Sequence, residues 1–367
     1  VIDYDVLKVI WWALIGALLI GFALTDGFDM GAGMLLPFIA RTDTERRIVV
    51  NTVGATWEGN QVWLITAGGA TFAAWPLVYA TAFSGFYVAL LLVLFALFFR
   101  PVGFDYRSKL PSLRWRFAWD WALFAGSAVP ALVFGVAFGN LLQGVPFRFD
   151  ADMRVAYDGT FWALLNPFAL LCGLVSISML VMHGSAFLQL KASGPVAARA
   201  ARVNVWAGFS TVVLFVLAGV VVASFVDGYQ LMTDGKVLTR EGLWLENFSR
   251  SAWVATAPLL GVGGALASAW FAAQERRVVA FVGSSLSVAG VILTAGASMF
   301  PFVMPSLAKP DDSLTLWNAT SSQLTLQIML VAVAVFLPIV LLYTTWAYRV
   351  MFGRVRAEDI VRDSSLY

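Results

Sequence analysis

Three carboxylates stand where a carboxylate is costly. Asp26 and Asp29 occur as T-D-G-F-D inside one apolar run, and Glu58 lies in W-E-G-N-Q-V-W, followed by Asn60 and Gln61, inside another. A spacing of three places Asp26 and Asp29 on one face of a helix. A charged side chain at bilayer depth costs at least about 2.5 kcal/mol on insertion scales, so each is a functional candidate by default. The chemistry open to such acids is proton exchange at neutral pH, with Asn60 and Gln61 ordering water beside them. The competing reading is a structural ion pair with a cation such as Arg100 or Arg107.

Arg100 itself, in F-F-R-P-V-G-F-D-Y-R, reads first as a snorkelling residue at a helix end and second as a member of the proton path. His183, in V-M-H-G-S-A, could ligate haem or carry protons, but a satisfied interfacial polar group is the simpler reading. With one histidine and one cysteine, Cys172, the chain cannot form an internal disulfide, a thiolate metal cage or a bis-histidine haem site alone. No phosphate loop, zinc motif or serine triad is visible, and a metal site is not expected.

The elements that must hold these residues are membrane helices. Of 367 residues 60% are hydrophobic and 13% charged, with a mean hydropathy of +0.80, which excludes a soluble globular enzyme. The fold class is an all-α polytopic membrane protein, read as one integral membrane domain over residues 1–367. A net charge of +2 without a basic run gives no reason to expect nucleic acid. The first apolar stretch is too long and too polar-punctuated for a cleavable signal peptide.

Nine stretches are long enough to cross the hydrocarbon layer: 9–37, 50–75, 77–99, 119–141, 161–186, 203–226, 252–273, 278–299 and 323–350. The second carries Glu58, Asn60, Gln61 and several glycines, so a plain hydropathy count would give eight. With nine spans the Lys and Arg residues divide 17 to 7 between the two sides; without the second they divide 15 to 9. Basic residues collect in cytoplasmic loops, so nine spans put the N-terminus outside and the C-terminus inside. Asp29 then lies about 12 Å from the inner end of helix 1 near Pro37, and Glu58 about 10 Å into helix 2, at matching depth in the cytoplasmic half. Most tryptophans read as interfacial anchors, among them Trp11, Trp12, Trp75, Trp115, Trp119 and Trp121. Thr42 and Glu45 fit a capping box that starts helix 2 before residue 50. Gly27 and Gly31 read as close helix packing, and Pro130, Pro167, Pro258 and Pro338 as kinks. The loops 142–160, 227–251 and 300–322 are the sizeable extramembrane segments, acidic in sum.

Several segments together resemble the second subunit of cytochrome bd-type quinol oxidases. They are I-D-Y-D at the start, G-F-A-L-T-D-G-F-D-M-G (21–31), D-T-E-R-R (43–47), W-E-G-N-Q-V-W-L-I-T-A-G-G-A (57–70), F-F-R-P-V-G-F-D-Y-R-S-K (98–109), G-N-L-L-Q-G-V-P-F (139–147), T-A-G-A-S-M-F-P-F-V-M-P-S (294–306), W-N-A-T-S-S-Q-L-T-L (317–326) and L-L-Y-T-T-W-A-Y. The resemblance covers nearly the whole chain and thins around 186–251.

That resemblance implies a respiratory complex of the bacterial inner membrane that oxidises quinol and reduces oxygen to water, electrogenic without pumping. Haem b and haem d are then carried by a larger subunit I of similar fold, against which this chain packs amid membrane lipids. Small single-helix accessory subunits are further candidate partners, and some members hold a structural quinone in this subunit. The second subunit contributes to a proton path from the cytoplasm, and Glu58 is similar to the family's channel acid. Many members have aspartate there; Glu is one methylene longer with the same protonatable group, so proton transfer is expected to survive with a changed spacing to the next relay partner.

Two other functions compete with an oxidase subunit. A proton-coupled secondary transporter would show an inverted repeat and a midplane site; no clear repeat is seen, and the acids lie nearer one face. A purely structural subunit would use the acids only to join helices.

Overall fold

The computed structural model describes residues 2–362. The apolar runs fold into α1 (Tyr4–Ile39), α2 (Asp43–Val53), α3 (Trp57–Ala74), α4 (Pro76–Gly85), α5 (Tyr87–Leu97), α6 (Phe99–Tyr106) and α7 (Leu113–Gln143). A hairpin of β1 (Phe147–Phe149) and β2 (Val155–Tyr157) precedes α8 (Pro167–Lys191) and α9 (Gly194–Phe225). A second hairpin, β3 (Asp227–Leu231) with β4 (Val237–Glu241), leads through α10 (Glu246–Arg250) to α11 (Thr256–Ala273) and α12 (Arg277–Met299). A third, β5 (Phe302–Met304) with β6 (Leu314–Thr315), is followed by α13 (Gln323–Val350) and a short α14 (Ala357–Arg362).

Side chains at the helix starts take up backbone N–H groups that the helix leaves free. Asp3 accepts from Asp5 and Val6, Ser112 from Trp115, Asn166 from Ala169 and Ser322 from Thr325. The Thr42–Glu45 capping box is present and starts α2 at Asp43. Pro130 and Pro338 lie within helices, as does Pro37. Pro167, by contrast, opens α8, where its missing N–H is no loss, and Pro258 sits in the first turn of α11.

Two ends of the bundle can be told apart by hydrogen bonds. At one, the Tyr4 hydroxyl donates to the Ser321 carbonyl at 2.7 Å, and the Ser321 N–H donates to the Ala74 carbonyl at 2.8 Å. At the other, Arg199 donates to the Ile39 carbonyl and to Glu45, while the Val355 N–H donates to the Lys191 carbonyl at 2.9 Å. Residues 43–74 therefore run from the Ile39 end to the Tyr4 end, although eight other helices among the described residues meet the length and composition of a membrane span and α3 does not. Polar residues at its start, with a break at 54–56, keep α3 below that composition. The doubtful second span is thus a real crossing of the bundle built from a broken helix.

α1 packs against α3, α7, α8 and α12. Gly31 and Gly184 let α1 and α8 meet backbone to backbone: a Cβ on either would strike the other helix's main chain. The three hairpins cap the Tyr4 end. Asp312 accepts from the Phe149 N–H and Asp311 from the Val237 N–H, both at 2.9 Å, which ties them together. Trp11 and Trp75 are buried rather than interfacial, with Trp11 donating to the Leu326 carbonyl at 3.0 Å; the reading of these two as anchors is corrected. They fill the core beneath the hairpins.

Candidate functional site

The acids of helix 1 face inward. Asp26 and Asp29, one turn apart in α1, are buried at 0% and 1% exposure. Arg100, in the first turn of α6, reaches between the helices and donates to both oxygens of Asp26, at 2.8 and 2.6 Å. The same guanidinium comes only to 3.9 Å from Asp29. Arg100 is fully buried, so the snorkelling reading is overturned: α5 and α6 pack against α7, and this turns the arginine into the bundle instead of toward headgroups. A planar fork suits this two-point grip on a carboxylate.

Asp29 is held differently. The Asn60 side-chain amide donates to its Oδ2 at 2.7 Å, and the Tyr348 hydroxyl donates to the Asn60 carbonyl oxygen at 2.7 Å. The other carboxylate oxygen of Asp29, Oδ1, is buried with no partner among the described residues, as is Arg100 Nε. Two carboxylates thus share one guanidinium, with one carboxylate oxygen left open. Tyr348 was not singled out as a site residue from the sequence, because nearly 290 positions separate it from Asn60. Its only signal was a place in the L-L-Y-T-T-W-A-Y segment.

Glu58 is in the first turn of α3, two residues before Asn60, and points the opposite way. It is exposed on the surface of the chain, at the head of a stripe formed by Val62, Ile65, Gly69 and Phe72. The spacing of four, three, four and three marks one continuous helix face. Glu58 is therefore not buried within this chain, in contrast to the expectation for a helix-2 acid packed against helix 1. Gln61 is half-buried beside it, with no hydrogen bond among the described side chains. Of the predicted residues, then, Asp26, Asp29, Asn60 and Arg100 are gathered in one buried cluster, and Glu58 and Gln61 lie outside it.

A second ionic cluster lies nearer the Ile39 end. Arg107, 1% exposed, pairs with Asp120 and Asp43; Arg46 also reaches Asp120, and Arg116 reaches Asp43. It joins α2, α6 and α7 at their ends.

His183 is fully buried rather than interfacial. Its Nδ1 is 2.9 Å from the Ser284 hydroxyl, its Nε2 is 3.0 Å from the Leu24 carbonyl, and its ring stacks on Phe281. Both nitrogens are engaged, which does not fit an axial haem ligand. A separate cavity of about 580 Å³ lies among α1, α7, α8, α9, α11 and α12, walled by apolar side chains such as Phe22, Met30, Phe134, Met179 and Phe215.

The model of a family described as cytochrome bd terminal oxidase subunit II matches residues 7–351. The chain is 54% identical to cytochrome bd-I ubiquinol oxidase subunit 2 of Escherichia coli strain K12, with all of both chains covered. It is 52% identical to a probable cytochrome oxidase subunit 2 of Haemophilus influenzae, again over all of both, and 34% identical to cytochrome bd ubiquinol oxidase subunit 2 of Bacillus subtilis over 95% of this chain and 97% of that one. Its fold is similar to that of a chain in the bd oxidase structure from Geobacillus thermodenitrificans, with a TM-score of 0.65, 15% identity, and coverage of 95% and 99%.

Proposed function

The chain belongs to the cytochrome bd terminal oxidase subunit II family, and from that premise we propose that it conducts protons from the cytoplasm toward a haem-bearing subunit I through Asp29 and Glu58. As a member it is one subunit of a quinol:oxygen oxidoreductase, a multi-pass protein of the bacterial inner membrane. In this reading residues 1–367 act as a single membrane domain, with the Ile39 end cytoplasmic and the Tyr4 end outside. The division of Lys and Arg by 17 to 7 supports that orientation.

The observation that carries the proposal is the placement of two carboxylates on opposite sides of one helical turn. Asp29 is enclosed, bonded to Asn60, and has one open oxygen. Glu58, two residues from Asn60, looks out of the chain on an apolar stripe. A carboxylate facing hydrocarbon is costly, whereas one facing a protein partner can receive a proton on one side and pass it on at the other. Asp26 stays locked to Arg100 and sets the local charge, Asp29 holds the exchangeable proton, and Glu58 delivers it across the interface. Asn60 holds Asp29 on the inner side of that turn.

The partner surface is read from the same face. α13 buries only Leu326 in its own chain, and Ile328, Val331, Val335, Ile339, Leu342 and Trp346 form an exposed stripe along it. With the Glu58 stripe of α3 it makes the surface on which subunit I would sit. Accessory single-helix subunits would take other lipid-facing helices.

This chain's residues do not fit a haem, because its one histidine is fully engaged. The haems, b and d in this reading, supply electron transfer and oxygen reduction from subunit I. The apolar cavity does fit the isoprenoid tail of a structural quinone. The bidentate Asp26–Arg100 pair favours a second reading, in which this cluster only joins helices.

Turnover separates the two. Glu58→Gln preserves shape and removes the proton carrier. If the acid is a relay member, oxygen uptake by the assembled complex falls on the order of a hundredfold with haem content unchanged. Full turnover at full haem content would leave the structural reading alone.

A further inference from the structure

The Ile39 end of α7 presents an apolar, largely aromatic wall to the outside of the chain. Leu113, Phe117 and Trp121, spaced by four, are 79%, 57% and 41% exposed and share one helix face. Phe38, in the last turn of α1 and 60% exposed, stands edge-on to Trp121 at 5.9 Å and to Phe124 at 5.7 Å. The two helices thus form one continuous surface. It belongs to neither the α3 stripe nor the α13 stripe read above as the seat of subunit I.

The water-side edge of this wall carries more cations than its acids engage. Asp43 takes Arg107 and Arg116, and Asp120 takes Arg107 and Arg46, so two carboxylates stand among three guanidiniums. Arg107 Nη1 is buried with no partner among the described residues. Glu45 is engaged by Arg199, and Asp105 is exposed. Arg41 follows Phe38 by three residues, and Arg114 precedes Phe117 by nearly one turn. Both are exposed, and neither side chain has a hydrogen bond or ion pair among the described residues. α7 also begins here, which adds the positive end of the dipole of a 31-residue helix.

We propose that this edge binds the headgroup of an anionic phospholipid, with Arg41 and Arg114 on its phosphate and its acyl chains along the wall of Phe38, Phe117 and Trp121. A guanidinium fork suits phosphate oxygens, and its long apolar stem reaches from hydrocarbon level to the headgroups. The surplus positive charge favours an anionic lipid over a zwitterionic one, whose own cation it repels. A free phosphate could meet the arginines but would leave the wall unused, so the wall assigns the site to a lipid. The proposal is independent of the proton path, because the site shares no residue with Asp29 or Glu58.

The test uses the purified complex in detergent and a phosphatidylglycerol probe with a photoreactive acyl chain. Irradiation should label residues 113–124, and unlabelled phosphatidylglycerol should displace the probe where phosphatidylcholine does not. Arg41→Gln with Arg114→Gln should weaken the probe's affinity roughly thirtyfold, the size set by two basic contacts at a membrane surface. Arg202→Gln with Arg276→Gln, exposed cations elsewhere at the Ile39 end, should leave it unchanged. Displacement by phosphatidylcholine as readily as by phosphatidylglycerol overturns the proposal. So does equal labelling of the native complex and the Arg41, Arg114 variant, or an equal loss in the Arg202, Arg276 pair, which assigns the effect to general surface charge. If the Arg41, Arg114 variant does not assemble, the competition on the native complex decides alone.

Discussion

Arg100 donates two hydrogen bonds to Asp26 and none to Asp29, although both carboxylates lie on the same face of α1. One acid is spent on a fixed pair and the other keeps an open oxygen. On the proposed function, this asymmetry would let one cluster both join helices and exchange a proton.

Removing one partner of a buried pair leaves an uncompensated charge, at a cost of about 3–5 kcal/mol. Arg100→Ala should therefore abolish assembly, read as loss of haem absorbance in purified membranes. The double variant Arg100→Leu, Asp26→Leu removes both charges and should recover much of that assembly. Recovery of haem without recovery of turnover would assign the pair an electrostatic role in the path as well.

Gly31 and Gly184 set the separation of α1 and α8, and with it the position of both acids. Their two backbones leave no room for a side chain at either position. Gly184→Val should prevent the helices from closing, by the overpacking cost of about 1–3 kcal/mol or more, and yield an unstable or unassembled chain. Gly263→Ala, at a position open to space, should leave thermal stability within about 0.5 kcal/mol of native.

Glu45 staples the Ile39 end, accepting from the Arg41 and Thr42 N–H groups at 2.6 and 3.3 Å and from Arg199. Burial works against its charge, but the Arg199 bond and the two backbone N–H groups outweigh it and hold the carboxyl below the ordinary glutamate value. A folded-state value lower than the unfolded one means stability that is complete above about pH 4.5 and lost as pH falls through the folded value. Glu45→Gln should thus lower stability by about 1 kcal/mol at pH 7. The deficit should shrink on acidification below pH 4.5, measured by thermal unfolding of the complex. A deficit that does not change with pH would show that shape alone matters there.

The sequence carried much of this. Apolar runs located the crossings, including the polar second one, because Lys and Arg counts respond to topology even where hydropathy is weak. The three-residue spacing of Asp26 and Asp29 and the matching depth of Asp29 and Glu58 were legible because helical rise is constant. The burial of Arg100 was not: a basic residue after an apolar run looks the same whether its helix turns into the bundle or out to headgroups. The outward direction of Glu58 was also hidden, since the break at 54–56 resets the rotation of α3 relative to α2. Tyr348 was out of reach because its contact with Asn60 is purely tertiary.

On the proposed function, protons for oxygen reduction pass through this chain from the cytoplasmic side. The most direct measurement is the charge movement and proton uptake that follow oxygen addition to the fully reduced complex in oriented proteoliposomes, comparing native enzyme with Glu58→Gln. Uptake from the side of the Ile39 end should be slowed on the order of a hundredfold in the variant, together with the electrogenic phase, while the haem spectra stay unchanged. Uptake at the native rate from that side in a fully haem-loaded variant would mean that Glu58 carries none of these protons.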